Sequence, residues 1–246
     1  MMSYGVFARY YDALTENVDY PSKARFLSDI LKRHKPGCAL VVDLACGTGS
    51  LSLELASLGY DMIAVDGSAD MLSAAYMKEN PGVMFLCQQM DELDLYGTVD
   101  GVVCTLDSVN HVTDEAVLQR AFDRVALFLE PDGVFVFDAN TPYKHRHVLG
   151  DNVYVYDLDE VYCVWQNRLL EDDFTEISLD FFEPDEDGAY FRSSESFMER
   201  AYTRGQLADM LDRAGMMIVE EFDDYTEASP SEETQRVVYV CRKKGE

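Results

Sequence analysis

The stretch that decides the fold is Val41-Val42-Asp43-Leu44-Ala45-Cys46-Gly47-Thr48-Gly49-Ser50. Its apolar, β-branched start predicts the end of a buried parallel strand, and the leucines that follow it recur at helical spacing. A glycine turn between strand and helix lets the backbone approach a ligand closely, because glycine has no Cβ and the N–H groups of the new helix face the same space. The stretch therefore predicts a site for a nucleotide-like cofactor.

The residues around the turn narrow the choice of cofactor. The dinucleotide fingerprint G-x-G-x-x-G/A places a third glycine or alanine where this chain has Ser52, which argues against NAD. No Lys-Ser/Thr pair follows the glycines, so the turn is not a phosphate-binding P-loop. Asp43 instead stands at the carboxyl end of the strand, where it can reach a cationic or amide-bearing group of the ligand.

A second acid follows at the expected distance. Residues 59–66 read as another strand ending in Asp66, 19 positions after Gly47, and at this spacing a carboxylate meets ribose hydroxyls. Asp66 could instead cap the next helix, but Ser68 competes for that position. The paired motifs resemble those of the class I S-adenosylmethionine-dependent methyltransferases, whose first motif has the form D-x-x-C/G-x-G-T-G.

The resemblance implies an α/β fold, a Rossmann-like doubly wound sheet of seven strands, and a set of residues that contact S-adenosyl-L-methionine. These residues are Tyr11, Tyr20, Asp43, Ala45, Cys46, Gly47, Gly49, Asp66, Gly67, Met71, Gln89, Met90, Leu106 and Asp107. Tyr11 belongs to an amphipathic helix, Tyr4 to Leu14, that is expected to cover the methionine end of the cofactor. Core packing is the alternative role for both tyrosines. Gln89 stands where family members usually place an adenine-binding Asp, and Asp91 could take that contact with a change of register.

The acceptor side is expected at the ends of the fourth and fifth strands. Residues 99–106 read as a strand that continues into Asp107-Ser108-Val109-Asn110-His111, and the ends of strands one and four flank the switch point of a doubly wound sheet. The run from Cys104 to Asn110 resembles a bacterial subfamily of these enzymes. A base is needed only if the acceptor arrives protonated, and Asp107 and Asp138 are the first candidates, with His111 the second.

Between residues 150 and 198 the hydrophobic period changes to the alternation of antiparallel strands. We therefore divide the chain into a Rossmann-like domain with an N-terminal helical cover, 1–149 and 199–246, and a β insertion, 150–198, that forms a lid on the acceptor side. Trp165 lines the acceptor pocket or the core of the small sheet. Because the cofactor residues lie outside the insertion, cofactor binding is expected to survive its removal.

Composition limits the partners and the compartment. The formal charge of −26 argues against nucleic acid, which is bound mainly through Lys and Arg. No signal peptide or apolar span occurs, and six cysteines without metal spacing are typical of a reducing compartment, so we predict a cytoplasmic enzyme without a membrane partner. The four histidines also lack the spacing of a zinc site, and no metal is expected.

The predicted function is transfer of a methyl group from S-adenosylmethionine to an N or O nucleophile of a small molecule. The enzyme would mainly align the nucleophile and exclude water. Two alternatives remain at this point. One is a non-catalytic sensor of S-adenosylmethionine or S-adenosylhomocysteine, and the weaker one is an NAD-dependent oxidoreductase, which would share the glycine turn and Asp66.

Replacing Asp66 tests the ribose contact. Asp66→Ala should weaken cofactor binding by about 1.5–3 kcal/mol, the loss expected when hydroxyl donors lose a charged acceptor. Calorimetric titration with S-adenosylmethionine measures the change directly. An unchanged dissociation constant in a folded variant would remove Asp66 from the site.

Overall fold

The computed structural model describes residues 5–79 and 82–245. The start of the predicted N-terminal helix, Tyr4, lies outside them. No helix in these two ranges is long and apolar enough to cross a membrane.

A seven-stranded sheet with helices on both faces forms the main part of the molecule. Its strands lie in the order β10-β11-β5-β4-β1-β2-β3. They are β1 Leu40–Leu44, β2 Asp61–Asp66, β3 Val83–Cys87, β4 Val99–Cys104, β5 Leu129–Asn140, β10 Met216–Asp223 and β11 Arg236–Lys243. The helices are α1 Gly5–Leu14, α2 Tyr20–His34, α3 Ser50–Ser57, α4 Ala69–Tyr76, α5 Glu115–Phe128, α6 Pro142–Lys144 and α7 Arg204–Arg213.

Strands β1 to β5 pair in parallel, and β11 pairs antiparallel with both β5 and β10. The last two strands therefore form an antiparallel hairpin that completes the seven-stranded sheet. Since all parallel strands point the same way, the carboxyl ends of β1, β2 and β4 lie at one edge of the sheet. That edge holds the candidate site.

Successive residues of a strand point to opposite faces of the sheet, and helices cover both faces. Val42 and Val102 pack on one side with α5 and α7, while Val41 and Val103 pack on the other with α2 and α3. All four are fully buried. Continuous apolar runs in the sequence therefore correspond to central strands of a doubly wound sheet, and the predicted fold class is confirmed.

The insertion forms a separate four-stranded antiparallel sheet in the order β6-β7-β8-β9. Its strands are β6 Val153–Asp157, β7 Tyr162–Leu169, β8 Phe174–Pro184 and β9 Tyr190–Arg200. The last strand thus continues two residues beyond the predicted boundary at 198. One face of this sheet is covered by α1, whose Phe7 and Tyr10 pack in one cluster with Leu179 and Phe181.

Polar contacts also fix α1 on the small sheet. The side chain of Glu195 accepts hydrogen bonds from the backbone N–H groups of Val6 (2.8 Å) and Phe7 (3.2 Å) at the start of the helix. Glu183 accepts from the hydroxyl of Tyr10 at 2.7 Å. Trp165 is half-buried against the same cluster and donates to Asn167 at 2.7 Å, which is a packing role within the small sheet.

These contacts argue against the expectation that the insertion can be removed without effect on the cofactor. The helix that is expected to cover the cofactor rests on the insertion's sheet, so the insertion supports the cover as well as the acceptor side. The described N-terminal helix and the small sheet form one packing unit.

A pair of leucine substitutions tests this coupling. Leu179→Ala, under α1, and Leu118→Ala, on α5 beneath the main sheet, each truncate a fully buried side chain. Each should lower the free energy of unfolding by about 2.7–5 kcal/mol. At a temperature where both variants are folded, only Leu179→Ala should weaken cofactor binding, measured by calorimetry. Equal dissociation constants in the two variants would show that the cover does not depend on the small sheet.

Candidate active site

The glycine turn adopts the backbone that brings it close to a ligand. Ala45, Gly47 and Gly49 all have positive φ angles, of 62°, 55° and 74°. A Cβ added at Gly47 would meet no heavy atom within 4 Å, so this glycine faces open space. At Gly49 the added Cβ would come within 3.0 Å of the Phe85 ring, so both conformation and packing require glycine there. A non-glycine residue such as Ala45 in this region is strained, and such strain collects at functional sites.

Asp66 ties the turn to the second strand. Its carboxylate accepts from the backbone N–H groups of Gly47 (2.8 Å) and Ser68 (2.7 Å). Ser68, and not Asp66, caps α4 by accepting from the Met71 N–H at 3.3 Å. A carboxylate has about four acceptor positions, so two remain for a ligand's hydroxyl groups.

Asp43 is buried beneath the turn. The hydroxyl of Ser52 donates to it at 2.5 Å. Burial, together with the nearby charge of Asp66, raises the pKa of Asp43 to about 7. Its carboxylate therefore gains from a cationic partner, which the amino group of an amino-acid ligand would supply.

Seven of the fourteen predicted cofactor residues line one pocket between the glycine turn and the loop after β4. The residues around it are Tyr11, Tyr20, Asp43, Ala45, Cys46, Gly47, Thr48, Ser50, Leu51, Thr105, Leu106 and Ser108. The two tyrosines come from α1 and α2, so the pocket has a wall made by the N-terminal segment.

The lining of this pocket does not include the predicted cofactor residues Gly67, Gln89, Met71 and Met90. Gln89 lies across Gly67 and donates to its carbonyl at 3.3 Å, and a Cβ on Gly67 would collide with the Gln89 side chain. Both residues are therefore next to Asp66, as an adenine contact requires. Met71 is buried in the cluster that holds α1, and Met90 packs against the main core. Both side chains therefore pack in hydrophobic clusters, and contacts of Met71 and Met90 with the cofactor stay predictions.

The loop after β4 has an unusual backbone that Asp138 maintains. Leu106 and Asp107 both have positive φ, 55° and 53°. Their N–H groups donate to the Asp138 carboxylate at 2.8 and 2.6 Å. Arg236 donates to the same carboxylate at 3.1 Å, and the Tyr225 hydroxyl donates as well.

This geometry contradicts the prediction that Asp138 is a base. The residue is fully buried, and its carboxylate accepts from two N–H groups, a guanidinium and a hydroxyl. No face of the carboxylate is left for an acceptor molecule. Asp138 acts on the site by positioning the loop.

The structure also argues against Asp107 as a base. Burial would raise the pKa of Asp107, but the Arg236 guanidinium at 2.6 Å, with Lys144 and His111, outweighs burial and lowers it to about 2. A base works best when its pKa is near the operating pH. Asp107 is therefore a fixed negative charge at the edge of the pocket.

His111 belongs to a group that the sequence did not reveal. Its Nε2 lies 3.6 Å from Oε1 of Glu199, a buried residue of β9, and Asp107 completes a set whose ligand-type atoms all lie within 4.8 Å of one another. His145 approaches Glu199 from the other side, with 3.7 Å between Nε2 and Oε2. The available sequence signal was an acid two positions after the buried Phe197, on the inward face of an alternating strand.

Asn110 joins this group to the surrounding elements. It donates to the carbonyl oxygens of Asn140 (3.1 Å) and Arg200 (2.9 Å) and accepts from the Asn140 N–H at 2.9 Å. The loop after β4 is thereby fixed to the ends of both β5 and β9. These hydrogen bonds hold the end of β9, and with it the small sheet, beside the pocket.

Comparisons with known proteins agree with this architecture. Residues 41–133 match the family model described as a methyltransferase domain. An S-adenosylmethionine-dependent methyltransferase from Clostridium acetobutylicum ATCC 824, known from a crystal structure, is 34% identical to this chain. The two structures superpose with a TM-score of 0.87 over 98% of this chain and 99% of that one. A protein of Geobacillus sp. (strain WCH70), named "Putative methyltransferase", is 31% identical over 98% of this chain and 100% of its own length. An amino-sugar enzyme of Streptomyces fradiae, dTDP-3-amino-3,6-dideoxy-alpha-D-glucopyranose N,N-dimethyltransferase, is 32% identical over 54% of this chain and 53% of its own.

The chain belongs to the class I S-adenosylmethionine-dependent methyltransferases. It is an enzyme, and S-adenosylmethionine is its cofactor. The nicotinamide-dependent and non-catalytic alternatives are thereby set aside. The glycine turn and the pocket beside it fit this cofactor, since they combine open backbone at Gly47 with a buried acid at Asp43.

The raised pKa of Asp43 predicts how cofactor affinity depends on pH. If binding requires the carboxylate, affinity should fall roughly 5- to 10-fold between pH 7.5 and pH 6, because the group takes up a proton below about 7. Asp43→Asn should bind weakly at both pH values. Unfolding does not explain such a loss, because a raised folded-state pKa makes protonation of Asp43 favour the fold. Calorimetric affinities that are equal at the two pH values would contradict the contact.

Proposed function

We propose that the enzyme transfers the methyl group of S-adenosylmethionine to an N or O nucleophile of a small molecule. The observation that carries the proposal is the position of the pocket. Its wall of Thr105, Leu106 and Ser108 belongs to the same loop as Asp107 and His111, so a cofactor in the pocket would lie beside the polar group that these two residues form with Glu199. Glu199 belongs to β9, so the small sheet forms one side of this group.

The burial of this group favours a small acceptor over a macromolecule. Glu199 and His145 are buried, and α1 closes the neighbouring side by packing on the small sheet. The similarity to the amino-sugar N,N-dimethyltransferase supports an acceptor of this size. The formal charge of −26 is unfavourable for a polyanionic acceptor.

The residues of the chain would act mainly by positioning. The cofactor supplies a methyl group made electrophilic by the sulfonium. The Asp66 carboxylate and the glycine turn would hold the ribose, Asp43 would hold the amino-acid end, and the loop fixed by Asp138 would orient the acceptor. Orientation of this kind can account for about 7–11 kcal/mol of a bimolecular barrier.

The arrangement of thiols supports a cytoplasmic location within this proposal. All six cysteines are free, three of them buried. Unpaired thiols persist where the environment is reducing.

Methyl transfer can be tested without knowing the acceptor. The enzyme is incubated with S-adenosylmethionine that carries a trideuterated methyl group, together with a bacterial extract divided by ultrafiltration into small molecules and macromolecules. Mass spectrometry should find the label in a compound of the small-molecule fraction. Gly47→Val, which blocks the turn, is the inactive control.

Label that appears only in the macromolecular fraction would overturn the proposal. Absence of label from both fractions, with cofactor binding confirmed by calorimetry, would do the same.

A further inference from the structure

A buried polar cluster lies between the loop after β4 and the small sheet. Glu199, with 3% of its surface exposed, lies between His111 and His145 at 3.6 and 3.7 Å. These distances are too long for hydrogen bonds. Among the described residues, His111 Nδ1, His145 Nε2 and Glu199 Oε2 are buried without a hydrogen-bond partner. Buried polar atoms are nearly always paired, so the cluster indicates a site that a ligand completes.

The cluster is built and held in place by the fold. His145 Nδ1 lies 2.8 Å from the hydroxyl of Thr175, a fully buried residue of β8, and this contact turns Nε2 toward Glu199. His111 lies against the ring of Phe197 with 5.1 Å between centroids. The imidazoles are therefore fixed on both sides of the carboxylate before any ligand arrives.

The spacing suits a hydrogen-bond donor better than a metal ion. Three acceptors that each lie about 2.8 Å from one donor atom can be separated from one another by up to roughly 4.8 Å. The ligand-type atoms of Asp107, His111 and Glu199 lie within 4.8 Å of one another. A metal ion bound at about 2.0–2.2 Å would draw its ligands to roughly 3–3.5 Å of each other, which is closer than the 3.6 Å between His111 and Glu199.

The charges around the cluster point to a single positive charge on the ligand. Burial lowers the pKa of both histidines, to about 4 for His145, so both rings are neutral at pH 7. The charged groups that face the histidines and Glu199 are Asp107, Lys144, Asp173 and Arg236. Asp173 is paired with Arg146 at 2.6 Å and Asp107 with Arg236 at 2.6 Å, whereas among the described residues no Lys or Arg nitrogen lies within 4 Å of the Glu199 carboxylate. A ligand with one positive charge would supply the cationic partner that the Glu199 carboxylate lacks.

We propose that Glu199, His111 and Asp107 bind the amino group of the methyl acceptor as an ammonium ion, so that the acceptor is a primary or secondary amine. The proposal rests on the function proposed above and names its substrate class. An ammonium group supplies the N–H donors and the single charge that the cluster lacks.

Proton transfer within the cluster would then prepare the amine for methyl transfer. The bound ammonium gives one proton to the Glu199 carboxylate and becomes a free amine. Its nitrogen lone pair attacks the methyl carbon as the C–S bond breaks, and sulfur keeps the bonding pair. The products are S-adenosylhomocysteine and an N-methylated ammonium. Burial, and then the charge of Asp107, raise the pKa of Glu199 to about 8, so this carboxylate can hold the proton near neutral pH.

The histidines provide a direct test, because the chain has only four. Two of them, His111 and His145, flank Glu199, whereas His34 lies on α2 and His147 contacts Tyr143. Protein saturated with S-adenosylhomocysteine is titrated with n-butylammonium chloride, n-butanol or tetramethylammonium chloride, and the imidazole resonances are followed by NMR. Butylammonium alone should shift the resonances of His111 and His145 in a saturable manner.

Variants separate this site from the general charge of the protein. Glu199→Gln should weaken the butylammonium response about 10- to 100-fold, the loss expected when a charged acceptor is removed. Glu176→Gln, which removes an acid paired with Arg168 on the same small sheet, should leave the response unchanged. Both variants should keep their affinity for S-adenosylhomocysteine.

Several results would overturn the proposal. They are equal shifts with butanol or tetramethylammonium, an undiminished response in Glu199→Gln, and no response at His111 and His145. Broadening of these two rings by micromolar Mn²⁺ without an amine response would make the cluster a metal site. Calorimetry on the same samples distinguishes failure of the proposed amine site from failure of the proposed function. A protein that does not bind S-adenosylhomocysteine would contradict the proposed function itself.

Discussion

The buried carboxylate of Asp138 is the constraint on which the site depends. Two consecutive residues, Leu106 and Asp107, have left-handed backbone conformations that cost roughly 1–2 kcal/mol each. Hydrogen bonds from their N–H groups to a carboxylate contribute about 1.5–3 kcal/mol apiece and offset this cost. Arg236 neutralises the carboxylate and holds Asp107 at the same time. The loop is thereby fixed as one wall of the pocket, opposite the glycine turn.

The small sheet joins the two halves of the site. Its face supports α1, which brings Tyr11 to the pocket, and its β9 strand brings Glu199 to the polar cluster. The cofactor side and the acceptor side therefore share one support. The sequence pattern sets residues 150–198 apart as an insertion, but in the folded protein this segment supports both the cofactor side and the acceptor side of the site.

The sequence predicts what is encoded locally. The β1 strand, the glycine turn and Asp66 lie within 27 residues, so their order and spacing are visible in the chain. The role of Asp138 is not visible, because its partners are 31, 32, 87 and 98 positions away and any acid at a strand end could equally face a ligand. Glu199 was missed for the same reason, since its neighbours come from several elements. The sequence also did not reveal that the Met71 and Met90 side chains pack in hydrophobic clusters, because their neighbours come from other elements.

The most direct test of this account is hydrogen exchange in Asp138→Asn, combined with binding of S-adenosylhomocysteine. The substitution keeps the size of the side chain and removes its charge. The account predicts that the Leu106 and Asp107 amides lose protection, that the Val42 amide in the central strand keeps it, and that affinity falls at least about tenfold. A folded variant with unprotected Leu106 and Asp107 amides but unchanged affinity would contradict the claim that the loop held by Asp138 forms the site.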